Sequence, residues 1–209
     1  MLIRFRPAAL AGALVLAACG SPAAQARQQS QPMPPKPAAS VSPVDFGGQK
    51  VLIMPLQSSS GLNVGREQVT AEVIFALGEW DSRTPWITPD QLRAAMRRAP
   101  GYAPDPASLP RDPMLHHGER YVVEPLAGLL RRYTALMDAR LVLLLREARW
   151  IPNADATSGV VRLDAAVIDS RAGNLVWWGE AEGQPSPLPD QQAVATAAAA
   201  LAARMVAAR

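Results

Sequence analysis

Apolar and polar residues follow patterns that divide the later part of the chain into strands and helices. Val51–Leu56 is a short apolar run ahead of a serine-rich stretch, which indicates a buried strand. Leu141–Leu145 is a continuous aliphatic run, as a central strand with both faces covered requires. Val161–Val167 alternates and predicts a half-exposed strand. Its predicted hairpin partner is Leu175–Glu180, after a turn at Ser170–Asn174.

Helical spacing marks further segments. An amphipathic helix is predicted from about Arg66 to Glu79. Thr88-Pro89-Asp90-Gln91 is a helix start, with a threonine cap, proline at the first helical position and glutamine three residues after the cap. Pro125 opens another helix, and an alanine-rich helix ends the chain. The inward face predicted for the first of these helices consists of Val69, Val73, Ala76, Leu77 and Trp80.

The order of these elements predicts an α/β fold. With a short extended piece at 85–87, the order is strand, helix, strand, helix, helix, three strands, helix. We expect a three-layer-like mixed β-sheet of about five strands, parallel early, with the last three antiparallel and helices packed on it. Residues 102–119 are rich in proline and turn formers and are predicted to form an irregular excursion.

The first residues of the chain predict where in the cell the protein is located. Arg4 and Arg6 precede an apolar stretch too short to span a bilayer, which ends in Leu16-Ala17-Ala18-Cys19. This motif resembles the lipobox of bacterial lipoproteins, in which the cysteine receives a diacylglycerol and, after cleavage, an acyl chain such as palmitate. The resemblance implies a signal peptide over residues 1–18 and lipidation at Cys19. Gly20, in place of aspartate, favours an outer-membrane anchor that faces the periplasm.

Composition changes after the leader. Residues 19–48 are dominated by Ala, Gln, Ser and Pro, and such a segment cannot bury enough apolar area to fold. We predict a lipidated cysteine and an extended tether over residues 19–48, which leaves residues 49–209 for a single α/β domain. The alternative interpretation of residues 19–48 is a plain linker that binds no partner.

Charge and cysteine content exclude several classes of function. The chain has 21 basic and 18 acidic residues, and loss of Arg4 and Arg6 with the leader would leave 19 against 18. The remaining arginines are scattered, so nucleic-acid binding is not expected. Cys19 is the only cysteine, and once it is acylated the domain has no thiol for a disulfide, a nucleophile or a metal.

Two candidate ligand sites are weak. His116 and His117, with Asp112 and Glu119 nearby, match no closed zinc spacing and are better interpreted as a solvated loop. Ser58–Gly65 follows the first strand, where phosphate-binding loops occur, but it lacks both the dinucleotide-binding glycines and the P-loop lysine. We therefore predict a polar connection there, and neither a metal nor a cofactor.

Four carboxylates of the late hairpin are the candidates for acid–base catalysis. Solvent-facing carboxylates on strands are far commoner than catalytic pairs, and no nucleophile or base is readable beside these. The sequence thus favours a protein that is not an enzyme. The four residues are Asp164, Asp169, Glu180 and Glu182.

Trp177 and Trp178 carry the candidate binding site. Adjacent residues of a strand point to opposite faces, so one tryptophan can enter the core while its neighbour lies under another element or at the surface. An exposed tryptophan beside Arg162 would be a typical hot spot for protein binding. The partner-binding residues predicted here are Trp178, Trp177 and Arg162. The alternative is a sheet with helices covering both faces.

Three segments together resemble a superfamily of envelope proteins. They are the strand Val51–Leu56, the strand Ala139–Leu143, and the hairpin Asp169–Trp177, which has the form D-x-R-x-G-x-[LV]-V-W. Similar segments occur in the amino-terminal domain of the Tol-system protein TolB, in the curli secretion lipoprotein, and in lipoprotein activators of penicillin-binding proteins. The resemblance implies a fold and a compartment, and it brings no catalytic motif. The proline-rich excursion departs from the pattern, as does the lack of long amphipathic hairpins for a curli-type pore.

The sequence thus predicts a membrane-anchored periplasmic lipoprotein that acts by binding protein. It would be a non-catalytic accessory or scaffold factor of an envelope assembly, such as a cell-wall synthase activator or a Tol-like component. One alternative is a small-ligand-binding or hydrolytic domain that uses the loop at residues 58–66. Another is a self-assembling oligomer of the secretion type.

Overall fold

A mixed β-sheet organises the protein in a computed structural model that describes residues 42–110, 121–154 and 156–207. These residues belong to one unit, residues 40–209. Within them lie six strands and four helices. The strands are β1 (Val51–Met54), β2 (Ser58–Ser60), β3 (Trp86–Ile87), β4 (Leu141–Pro152), β5 (Gly159–Asp169) and β6 (Asn174–Glu182). The helices are α1 (Arg66–Trp80), α2 (Pro89–Arg98), α3 (Leu126–Met137) and α4 (Gln191–Met205).

The sheet has the order β3-β1-β4-β5-β6, and β2 pairs with the second half of β4. Strand β1 pairs in parallel with β3 and with β4, and β2 pairs in parallel with β4. Strand β5 pairs antiparallel with both β4 and β6. The predicted α/β class, with a mixed sheet and three antiparallel strands at the end of the order, is therefore confirmed.

Among the elements of the described residues, strand β2 is the one that the sequence does not predict, because Ser58–Ser60 has the composition of a polar connection. Strand β4 explains it. The aliphatic run Leu141–Leu145 continues as a strand to Pro152 and presents backbone groups that need partners. Ser58–Ser60 satisfies them in parallel register with Glu147–Arg149.

Helices α1 and α4 cover the first face of the sheet. The core between them is built from alternate residues of the strands, because alternate side chains share a face. Phe46, ahead of β1, is fully buried in the same core, and the edge of its ring meets Trp86 at 5.1 Å between centroids. Core residues on this face include Ile53, Val73, Leu77, Leu143, Leu163, Val167, Trp177, Val194, Ala198 and Leu201.

Helices α2 and α3 pack on the second face of the sheet. Their core includes Leu52, Leu92, Leu130, Tyr133, Val142, Leu144 and Ile168. The predicted start of α2 is confirmed, since Thr88 Oγ1 accepts from the Gln91 amide at 3.4 Å and Gln91 Oε1 accepts from the Thr88 amide at 2.8 Å. The two helix pairs and the sheet between them make the three layers that the sequence predicted.

The inward face of α1 differs from the prediction. Val69, Val73 and Leu77 are buried as expected, but Trp80 is 48% exposed at the end of the helix. Thr70 is buried instead, where its Oγ1 accepts a hydrogen bond from the Leu56 amide at 3.1 Å and donates to the Arg66 carbonyl at 2.8 Å. A polar residue can enter the core here because both its hydrogen-bonding roles are satisfied.

The described part of the excursion, residues 102–110, is tied to the body of the protein. The Gln57 side chain donates to the Pro106 carbonyl at 3.0 Å and accepts from the Leu109 amide at 2.9 Å. The Tyr133 hydroxyl donates to the Pro104 carbonyl at 2.8 Å. Burial, together with nearby Asp105, raises the pKa of Tyr133 to about 12, so the hydroxyl stays a donor.

Among the helices of the described residues, none combines the length and hydropathy that crossing a bilayer requires.

Candidate functional site

The hairpin β5–β6 places the predicted site residues on known faces of the sheet. Opposite one another across the two strands lie Arg162 and Glu182, then Asp164 and Glu180, then Ala166 and Trp178. These three pairs share the second face, since they alternate with pairs that enter the core under α1 and α4.

The two tryptophans occupy opposite faces, as expected of neighbours on a strand. Trp177 is 1% exposed and lies in the core of the first face. Its indole crosses Gly179, where a Cβ atom would come within 2.9 Å of Trp177 Cζ2. Trp178 is half-buried on the second face, at the margin of the core covered by α2 and α3. The hairpin therefore presents part of one tryptophan and hides the other.

Arg162 lies between two glutamates of β6. Its Nη2 and Nε donate to Glu182 Oε1 at 2.5 and 3.0 Å, and its Nη1 is 3.5 Å from Glu180 Oε2. The hydrogen bond with Glu182 raises the pKa of the guanidinium above its usual value, so Arg162 is a fixed positive charge. Its side chain is 29% exposed and remains accessible.

A second group of charges adjoins this one on β4 and β5. Arg149 Nη2 is 3.7 Å from Asp164 Oδ2, and Arg149 Nη1 is 3.9 Å from Glu147 Oε2. Burial raises the pKa of Asp164, and the negative charge of Glu180 adds to the effect, while Arg149 and Arg146 oppose it. Within the described residues, Asp164 Oδ1 and Arg149 Nε have no hydrogen-bond partner.

These side chains form one continuous surface, which we call the charged face. It combines four carboxylates with two guanidinium groups, and all of its members except Asp164 are between 29% and 49% exposed. Trp178 borders it on the side of the core that α2 and α3 cover. The charged face consists of Glu147, Arg149, Arg162, Asp164, Glu180 and Glu182.

The structure brings some of the predicted site residues together and separates others. Arg162 and Trp178 share the second face, with the Asp164–Glu180 pair between them. Trp177 points to the opposite face and takes no part in the surface. Cys19, His116 and His117 lie outside the described residues.

The four carboxylates that were candidates for acid–base catalysis also lie in two different places. Asp164, Glu180 and Glu182 belong to the charged face, where guanidinium groups engage them. Asp169 lies elsewhere and accepts from Arg140 Nη2 and Nε at 2.5 and 2.8 Å. Burial alone would raise the pKa of Asp169, but the hydrogen bonds from Arg140 and the Ala172 amide hold it below its usual value.

The neighbourhood of the first strand offers a small cleft of about 190 Å³ beside the end of β1. Thr70 and Ile74 of α1 line it, opposite the ion pair between Asp90 and Arg93 at 2.5 Å. Pockets for small organic ligands enclose roughly 300–1,000 Å³, so this cleft is below the usual size. In the described ranges, no cluster of side chains is suited to holding a metal ion.

Sequence reasoning missed a second surface, on α1. Phe75 is 67% exposed on the side of the helix that faces away from the core, and Trp80 is 48% exposed at the end of the helix. The signal was present, because Phe75 falls outside the inward stripe of Val69, Val73 and Leu77. A large aromatic residue at such a position is a candidate for contact with another molecule.

Solved structures of several bacterial proteins align with this fold. The C-terminal domain of LpoB from Salmonella enterica aligns with a TM-score of 0.42 and 15% identity, over 70% of this chain and 87% of that one. Lipoprotein GNA1162 from Neisseria meningitidis aligns at 0.41 and 16%, over 66% and 84%. The PelC dodecamer from Paraburkholderia phytofirmans aligns at 0.43 and 14%, over 79% and 95%. These similarities are ones of fold.

No protein-family model matches the sequence, and no curated protein matches it.

Proposed function

We propose that the chain is a lipid-anchored, periplasm-facing accessory protein of the outer membrane, which binds a protein partner of an envelope assembly and catalyses no reaction. The proposal assigns the anchor to Cys19 and the partner to the charged face with Trp178 at its margin. A cell-wall synthase or a Tol-like complex would be a partner of the expected kind, in line with the resemblance of the hairpin Asp169–Trp177.

The observation that carries this proposal is the position of Arg162 between Glu180 and Glu182 on an accessible part of the sheet. Strand positions are held rigidly by the backbone ladder, so the spacing of these charges is fixed before any partner arrives. A fixed pattern of opposite charges gives specificity to protein association and rejects partners with the wrong pattern.

The balance of charged groups on the charged face narrows the class of partner. Carboxylates outnumber guanidinium groups on the charged face, and Arg146 adds a further cation near Asp164. With Arg146 counted, the cations and carboxylates nearly balance, so the surface offers no basic stripe for nucleic acid. A protein with lysine or arginine side chains opposite Glu180 and Glu182, and an apolar contact for Trp178, would fit it.

The test is affinity capture of the full chain from cross-linked envelopes, read by mass spectrometry. Arg162→Glu reverses the central charge, and Arg98→Glu makes the same change on an exposed position of α2. We expect a discrete partner with the wild type and with Arg98→Glu, and at least a tenfold loss with Arg162→Glu. Trp178→Ala should weaken the same partner, with thermal melting as the check on folding.

Two results would contradict the proposal. Recovery of the same partner by Arg162→Glu would remove the charged face from the interface. A particle larger than a monomer in light scattering, unchanged by Arg162→Glu, would favour self-assembly. The anchor is tested separately with Cys19→Ser, which should abolish acylation and release the chain from the membrane fraction.

A further inference from the structure

An apolar groove runs between α1 and α4 on the first face of the sheet, away from the charged face. It encloses about 280 Å³ and is lined almost wholly by apolar surface. We call it the aromatic groove. Its lining residues are Glu72, Phe75, Ala76, Glu79, Trp80, Ala195 and Ala199.

The groove follows from the residue sizes on the two helices. Ala195 and Ala199, one turn apart on α4, have side chains too small to fill the space above the contact. Phe75 and Trp80 of α1 line the same space on its other side. The result is a concave apolar strip with aromatic side chains on its α1 side.

The rim of the groove is acidic. Glu72 and Glu79 lie one helical turn on either side of the Phe75–Ala76 segment, and both line the groove. Glu72 is held in place by Gln191 Nε2, which donates to its Oε1 at 2.6 Å. Among the described residues that line the groove there is no cation. Arg83, beyond the end of α1, is 3.9 Å from Asp81.

We propose that the aromatic groove is a docking site for a segment of another protein that presents a row of apolar side chains flanked by lysine or arginine. Exposed aromatic side chains around a concave apolar strip are typical of helix-in-groove recognition, in which residues at helical spacing insert as anchors. The acidic rim selects a basic flank, because Glu72 and Glu79 both lie on α1 and would meet lysine or arginine side chains along the edge of the segment beside that helix.

The same charges disfavour two other occupants. A second copy of the chain, docked groove to groove about a two-fold axis, would place Glu72 and Glu79 against their own kind. An anionic lipid surface would also be repelled by the rim, although tryptophan and phenylalanine are common at membrane interfaces. A basic, apolar protein segment has neither conflict.

This inference does not rest on the proposed function. The aromatic groove belongs to the helices on the first face, and the charged face lies on the second face. A partner could occupy either surface without contacting the other. Substitutions in the two surfaces therefore separate the two proposals.

The test uses the full chain in phosphatidylcholine nanodiscs and fluorescence anisotropy of labelled synthetic peptides. One probe is an amphipathic peptide with leucine on one face and lysine along both edges. The second probe has the same leucine face with glutamate edges, and empty nanodiscs give the background. We expect the lysine peptide to bind, more weakly as salt rises, and the glutamate peptide to bind at least tenfold more weakly.

Substitutions test where on the protein the lysine peptide binds. The double variant Phe75→Ser/Trp80→Ser should bind the lysine peptide at least tenfold more weakly. Leu188→Ser is the control, because it removes a side chain that is 56% exposed at another position, and it should bind the peptide as the wild type does. The double variant Glu72→Gln/Glu79→Gln should weaken binding and flatten its dependence on salt. Arg162→Glu should leave peptide binding unchanged.

Other outcomes would overturn the inference. Equal binding of both peptides, or binding that survives Phe75→Ser/Trp80→Ser, removes the groove as a selective site. A dimer in sedimentation that Phe75→Ser/Trp80→Ser dissolves makes a second copy the occupant. Binding to anionic vesicles that the same variant abolishes makes it a lipid surface. Loss of peptide with Arg162→Glu alone moves the site to the charged face.

Discussion

Trp177 and Gly179 show how one buried indole constrains its own strand. The two residues are separated by one position, so they point to the same face of the sheet. Only hydrogen at Gly179 leaves room for the ring, since a Cβ atom would lie 2.9 Å from Cζ2 and 3.1 Å from Cη2. The ring itself is 1% exposed, so helix packing restricts any move away. The glycine is therefore needed for packing and has no special backbone angle to satisfy.

Gly179→Ala should destabilise the protein by about 1–3 kcal/mol, because overpacking a filled core forces side chains off their preferred positions. Urea unfolding measures the loss, and tryptophan fluorescence should shift as the ring moves. Gly78→Ala in α1 is the control, since a Cβ there meets nothing within 4 Å. That change should be neutral or stabilise by up to about 1 kcal/mol. Equal stability of wild type and Gly179→Ala would mean that the ring can relocate freely.

At the scale of elements, the side chain of Gln57 joins the excursion to the sheet, because its amide group makes the hydrogen bonds that a neighbouring backbone would make. Its amide nitrogen donates to the carbonyls of Pro55 and Pro106 at 2.6 and 3.0 Å, and its oxygen accepts from the Leu109 amide. One side chain thus satisfies groups from two segments that share no ladder. The excursion is fastened where proline prevents regular pairing.

Gln57→Ala should release this segment while the sheet persists. Each lost hydrogen bond contributes about 1 kcal/mol, so amide exchange at Leu109 should quicken several-fold. Hydrogen-exchange mass spectrometry over residues 104–110 measures the effect. Gln192→Ala, on an exposed position of α4, is the matched control and should leave those peptides unchanged. Unchanged exchange at Leu109 in Gln57→Ala would show that Tyr133 alone holds the segment.

The sequence predicts the elements well because local signals set them. The Thr88 cap, the turn before Asn174 and the aliphatic run of β4 are each readable within a few residues. Strand β2 was missed because Ser58–Ser60 has no pattern of its own and becomes a strand only beside the second half of β4. Long-range pairing of that kind is not encoded in a local window.

The candidate site was predictable only in part. Alternation placed Arg162 and Trp178 on a strand, but their shared face depends on the register with β6, which shifts between Val167 and Ile168. Trp80 fits the inward spacing of α1, yet it is the last residue of that helix and is 48% exposed. Helical period gives the direction of a side chain and says nothing of what stands opposite.

At the scale of the whole molecule, Asp164 and Asp169 oppose one another in the dependence of stability on pH. The pKa of Asp169 is lowered on folding, so its contribution is present above the pKa of the unfolded chain and is lost as pH falls through the folded pKa. The pKa of Asp164 is raised, so its ionised form costs stability at neutral pH. That cost is relieved as pH falls through the raised value.

Two isosteric variants separate these effects by thermal or urea unfolding between pH 7 and 3. Asp169→Asn should destabilise by about 1 kcal/mol at pH 7, a figure reduced for the exposure of Arg140, and the deficit should shrink below about pH 4. Asp164→Asn should stabilise at pH 7, by a margin that also shrinks on acidification. If the stability of a variant and that of the wild type changed with pH in parallel, the substituted residue would make no contribution to the pH dependence of stability.

The start and the end of the folded unit meet at Val44. Its amide donates to the Met205 carbonyl at 2.7 Å, and its carbonyl accepts from the Ala207 amide at 3.0 Å, in a parallel bridge to Val206. A force that arrives along the chain from the residues before Val44 must strain these two bonds together, in shear, before it reaches β1. The protein therefore carries a mechanical clamp at the point of loading, and its sheet is shielded from a pull that the clamp withstands.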